Sequence, residues 1–159
     1  MLYELFLTIV FFFSSFGFNE FNEISTCNDD EVFEIFCGFQ NPEDLYLSPS
    51  KTKIIVSEFG SLAPNTKYGN LVYFDLKTNK REPISINYEA NQWGDDTCNL
   101  EDKRLSPHGI DLIERNDGKY MLAVVNHLPR ETIELFELIE TDAIEPVSYT
   151  HLTLPTNGT

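Results

Sequence analysis

Basic residues are scarce. The chain carries 11 Lys and Arg against 26 Asp and Glu, a formal net charge of −15. A field of that sign repels phosphate backbones and anionic lipid surfaces, which argues against nucleic acid as a partner. It suits hard cations, which take oxygen ligands. Cysteine is sparse too. Cys27, Cys37 and Cys98 include no Cys-x-x-Cys pair, so neither a zinc site nor a thioredoxin-type motif is read. The odd number leaves one thiol without an intrachain partner, for example after a bridge between the other two. Histidine is limited to His108, His127 and His151. No clear internal repeat is present, and no Lys or Arg precedes the apolar run near the N-terminus.

What is there reads as globular. The 159 residues give room for one ordinary domain, and 42% hydrophobic content with 13% aromatic residues is too apolar for a disordered tail. Residues 1–18 resemble a signal sequence: Leu5 to Phe13 form a short apolar core, followed by Ser14, Ser15 and Gly17. Glu4 supplies the opposite sign from the usual one. The expectation is a secreted or exported protein. An uncleaved anchor, and with it membrane association, is the alternative.

From Asp29 onward short strands alternate with turns. Leu45–Leu47 precedes the turn cluster Ser48-Pro49-Ser50-Lys51, and Ile54–Ser57 is β-branched and short. Leu71–Leu76 ends at Lys77-Thr78-Asn79-Lys80, and Pro83–Ile86 is expected to pair back. A long loop, Tyr88 to Leu105, holds Trp93, Asp95, Asp96 and Cys98. Ile110–Ile113 alternates. The Asp117-Gly118 step is the strongest hairpin signal in the chain, and Tyr120–Val125 is nearly continuous in apolar residues, as a strand buried on both faces would be. Thr132 to Glu140 is ambiguous. Glu131, Glu134, Glu137 and Glu140 recur every three residues, which fits an amphipathic helix, yet the hairpin context favours a strand. The fold class is therefore all-β, and spacing alone leaves sandwich, barrel and propeller open. Two four-stranded units of about 45 residues would suit propeller blades.

Two histidines end neighbouring strands, in Ser106-Pro107-His108-Gly109-Ile110 and Val124-Val125-Asn126-His127. Imidazole titrates near neutrality, so such a pair is a candidate acid–base couple. Pro107 steers Ser106 away from helix, and Gly109 is expected to let the backbone pass close to an ion or substrate. Asn41-Pro42-Glu43-Asp44-Leu45 adds two adjacent carboxylates. Were that segment extended, they would point to opposite faces and serve two different ions.

These segments, with Glu131-Thr132-Ile133-Glu134-Leu135-Phe136, occur in the same order in the paraoxonase/arylesterase family, which the chain resembles over Cys37 to Glu140. They also fit the related senescence-marker-protein/gluconolactonase propellers. The resemblance implies a six-bladed β-propeller, of which residues 29–146 would be about two N-terminal blades. It implies two calcium ions and hydrolysis of small lactones or aryl esters. It makes Glu43 a ligand of the catalytic calcium, and Asp44 and the Ile110 carbonyl ligands of the structural one. His108 becomes the general base and His127 its proton relay. Three ligands of roughly seven cannot make a tight site, so the chain alone is expected to bind calcium weakly and to be inactive. Two rival readings stand beside this one. One is a non-catalytic, calcium-stabilised propeller acting as a binding or scaffold module. The other is a sugar-lactone hydrolase using a different divalent metal. Val147 to Thr159 resembles translated sequencing-adapter read-through. It is set aside as a foreign tail, and His151 with it, which would make the chain a fragment.

Overall fold

The computed structural model describes residues 27, 32–61, 67–86, 88, 102–139 and 145–153, with the backbone alone for 139 and 145–153. The expected signal or anchor segment lies outside the described residues, as do Trp93, Asp95, Asp96 and Cys98. Among the described residues no helix is long and apolar enough to cross a membrane. The chain divides into two compact units, Met1–Cys37 and Gly38–Thr159. In the first, Cys27 and Cys37 form a disulfide.

The second unit is all-β. Strands β1 (Pro42–Leu47), β2 (Lys53–Ser61), β3 (Lys67–Asp75) and β4 (Lys80–Pro83) make one antiparallel sheet in sequence order. Strands β5 (Pro107–Glu114), β6 (Tyr120–Asn126), β7 (Thr132–Ile139) and β8 (Glu145–Thr153) make the other. The two four-stranded sheets do not close into a ring.

Local chemistry accounts for the connections. Asp75 accepts hydrogen bonds from the Lys77 and Thr78 amides and from the Thr78 hydroxyl, closing the β3–β4 turn. Those bonds hold its carboxyl below the usual range, the Thr78 amide foremost. Asn79 there takes a left-handed φ of 56°, which asparagine tolerates better than most residues. The return strand is β4, three residues earlier than the expected Pro83–Ile86. Its ladder stops at Pro83, although Ile84 still donates its amide to Leu71 O. Gly118, at φ 79°, makes the β5–β6 hairpin where the Asp-Gly step stands.

Thr132–Ile139 is a strand, in register with β6 from Asn126↔Thr132 to Tyr120↔Leu138. The three-residue glutamate spacing has a different meaning in a strand. Residues three apart point to opposite faces, so Glu134 and Glu137 serve separate ion pairs. In β6 burial alternates: Leu122, Val124 and Asn126 are buried, while Met121, Ala123 and Val125 are half-buried. The strand is thus sealed on one face rather than two. β8 takes up most of the suspected tail and pairs along β7 as an edge. Any extended segment can pair with an open edge, so this pairing does not bear on the tail's origin.

One core joins the sheets. Ile55, Leu71 and Tyr73 of the first pack with Leu105 and with Ile110, Leu122, Val124, Phe136 and Leu138 of the second. The opposite face of the first sheet buries Val56, Val72 and Phe74, with Phe39 against them. Backbones approach closely between β2 and β3. A Cβ on Gly69 would collide with the Glu58 carbonyl oxygen, and Gly60 sits at φ 90° against Lys67.

Candidate functional site

Two irregularities in the ladders build the site. Along β1, Pro42 pairs with Glu58 and Asp44 with Ser57, so Glu43 is an extra residue on its strand. Along β5, Pro107 pairs with Asn126 and Ile110 with Val124, which leaves one extra residue around His108 and Gly109. A bulge bends its strand and re-aims a side chain. The two bulges meet: Glu43 Oε2 lies 3.5 Å from His108 Nε2. Asn41 Nδ2 donates to the other Glu43 oxygen at 3.0 Å.

Asp44 faces the same strand. Its Oδ2 accepts the Ile110 amide at 2.9 Å, and its Oδ1 accepts the Leu45 amide at 2.8 Å. Glu43 and Asp44 therefore both reach β5, rather than diverging as a regular strand would have them. The contact with Ile110 runs through its N–H. Ser57 completes the join. Its hydroxyl accepts the Asp44 amide at 3.0 Å and donates to His108 O at 2.5 Å.

The two imidazoles lie 5.3 Å apart between ring centroids, edge to face. Phe59 stands beside both, at 6.5 Å from His108 and 6.4 Å from His127. Half of the His108 side chain is exposed, so water has access to it. His127 Nδ1 lies 2.7 Å from Glu131 Oε2. An ionised carboxylate only accepts. In a neutral ring Nδ1 then carries the proton and Nε2 is left as an acceptor.

Beneath the histidines is a buried polar cluster. Glu134, fully buried, accepts from Arg130 Nη2 at 2.8 Å and from the Thr132 hydroxyl at 2.6 Å. Arg130 also donates to Asp102 O at 2.7 Å. Tyr88 packs on Phe136 and donates its hydroxyl to Lys103 O. Burial, reinforced by Glu134, pushes its phenol up to about 12, so it stays a neutral donor.

The structure thus brings Glu43, Asp44, Ile110, His108 and His127 to one end of the sheets. His151 falls in β8, where only the backbone is described. Protein atoms do not crowd Gly109: an added Cβ would meet only Val125 Cγ2 at 3.9 Å and Asp44 Oδ2 at 4.0 Å, ordinary contacts. Ser57 and Phe59 were missed by sequence reasoning, because they arrive from β2 through register. Among the described residues no group of three or more His, Cys, Asp and Glu has the arrangement of a metal site. Beside the His108 imidazole, the oxygen-bearing side chains at hand are the Glu43 and Asp44 carboxylates and Asn41. That is the right class for a hard cation and fewer than the six to eight it takes. No family model, curated protein or solved structure matches the chain.

Proposed function

We propose that this chain carries the acid–base half of a calcium-dependent hydrolase of lactones or aryl esters, similar to the paraoxonase/arylesterase family. Its two sheets would be neighbouring blades of a six-bladed propeller. Consecutive four-stranded antiparallel sheets in sequence order agree with that architecture. The observation that carries the functional reading is the meeting of both bulges at His108, with Glu43 3.5 Å from its Nε2 and the His127 ring beside it. On this reading His108 takes a proton from water at its exposed face, and His127, fixed by Glu131, relays it. Glu43 would hold the calcium that, when bound, polarises an ester carbonyl, and Asp44 would hold the structural ion. Phe59 gives the reacting centre an apolar wall. The apolar N-terminus supports export, with anchoring as the alternative.

A second reading, a non-catalytic calcium-stabilised module, draws on one specific feature. Asp44 already ties β1 to β5 through the Ile110 amide, which is a structural duty. Turnover separates the two. Phenyl acetate and a simple lactone should be hydrolysed by the longest reading frame that carries this chain, and a calcium chelator should abolish that hydrolysis. His108→Gln should lower the rate about 10²–10⁴-fold, the usual worth of a general base, with an unchanged melting temperature. A rate indifferent to chelator or to this substitution would sink the hydrolase reading. Only three oxygen-bearing side chains, Glu43, Asp44 and Asn41, predict calcium binding weaker than micromolar for the 159-residue chain itself, measured by calorimetry.

A further inference from the structure

Asn126 closes β6 and is fully buried. Its partner across the ladder is Pro107, which has no N–H to offer. The rung is made another way. Asn126 Oδ1 accepts the Ser106 amide at 2.8 Å, and the neighbouring His127 amide donates to Ser106 O at 3.3 Å. Ser106 is thus gripped on both of its backbone groups, two residues before His108. On its other side Asn126 Nδ2 donates to Arg130 O at 3.0 Å, with Thr132 Oγ1 and Glu134 Oε1 each 3.4 Å away. That bond closes the turn which brings Glu131 to His127 Nδ1.

The amide orientation is forced. Only an oxygen can face the Ser106 N–H, and only the nitrogen can face the Arg130 carbonyl. Aspartate would place a second negative charge against Glu134, and leucine would leave a buried donor and a buried acceptor unpaired.

We propose that Asn126 is the positioning residue of the histidine pair. One buried amide holds the segment that carries His108 and the turn that orients His127, and so sets the separation of the two rings. The consequence for rate rests on the hydrolase reading above; the geometric claim does not. Positional errors near 1 Å can cost about 10²-fold in rate, so a buried amide that fixes two side chains at once matters to turnover.

The test has a structural arm and a kinetic arm. In the 159-residue chain, nuclear Overhauser contact between the His108 and His127 ring protons and slow exchange of the Ser106 amide should be seen in the wild type. Both should be lost in Asn126→Ala, and in Asn126→Thr, which fills more of the space. The Leu122 and Val124 amides should stay protected in both variants. Ser106→Ala is the silent control, since the Ser106 hydroxyl has no hydrogen-bond partner among the described residues. In the hydrolase assay kcat should fall roughly ten- to a hundredfold with KM little changed. Persistence of the ring contact and of Ser106 protection in the variants would overturn the proposal. So would an unaltered kcat where His108→Gln is inactive. If the wild type turns nothing over, the hydrolase reading fails and the ring contact still decides the positioning claim. If neither variant folds, wild-type exchange decides: a fast Ser106 amide refutes the proposal, and a slow one together with the ring contact supports it.

Discussion

At one end of the sheets the chain turns on itself by short-range chemistry. Ser48 accepts from Lys51, Asp75 from Lys77 and Thr78, and Arg115 from Gly118. The Arg115–Glu137–Lys119 ion pairs lie beside the last of these turns. At the other end the bonds that matter join residues far apart in the chain: Asp44 to Ile110, Ser57 to His108, and Asn126 to Ser106. The first end forms wherever its hairpins form. At the second, the Asp44–Ile110 and Ser57–His108 bonds exist only once both sheets have docked, whereas the Asn126–Ser106 bond lies within the second sheet. The candidate groups are therefore held at the end built from long-range contacts, and damage to docking should loosen His108 before it loosens the turns.

The contrast can be broken most sharply at Arg130. Arg130→Ala strips the fully buried Glu134 of its counter-charge, and uncompensated buried charge costs about 3–5 kcal/mol. A urea titration should show that loss, and a loss well under 1 kcal/mol would mean that the cluster beneath the site is not load-carrying. Next in size is Gly69→Ala. Its Cβ meets the Glu58 carbonyl, and overpacking of this kind costs about 1–3 kcal/mol. Gly109→Ala, in open contact at the site itself, should stay within about 0.5 kcal/mol. Equal costs at the two glycines would refute the close-approach account. Smallest is Lys119→Ala at the turn end. Its side chain is half exposed and Arg115 still holds Glu137, so thermal melting should register at most about 1 kcal/mol.

The same division explains what could be read from residues alone. Turn residues act on their immediate neighbours, so Ser48–Lys51, Lys77–Lys80 and the Asp117-Gly118 step were legible, and with them the all-β class. The histidine and carboxylate motifs could be named for the same reason, since each is a short string. Their geometry could not. Two bulges, one in each of two strands, decide that Glu43 meets His108, and a bulge is a property of register between distant segments. Phe59 and Ser57 enter the site by the same route. A glycine beside a motif histidine carries no sign of whether space is tight, and the protein atoms around Gly109 leave room for a side chain. Glutamates every three residues in Thr132–Ile139 would suit one face of a helix. In a strand they divide between Arg130 on one face and Arg115 with Lys119 on the other.

Three side chains of the first sheet end on backbone atoms of β5: Asp44 on the Ile110 amide, Ser57 on the His108 carbonyl and Tyr46 on the Leu112 carbonyl. This stitching uses one oxygen of a carboxylate that a cation would also want. Any guest that draws electron density from Asp44 therefore pulls on the seam as well, and the seam's strength in turn sets how willingly Asp44 can turn toward a guest. If an ion is held at Asp44 as proposed, loading and stiffness are linked, and amide exchange along Ile110–Leu112 should change when calcium is added.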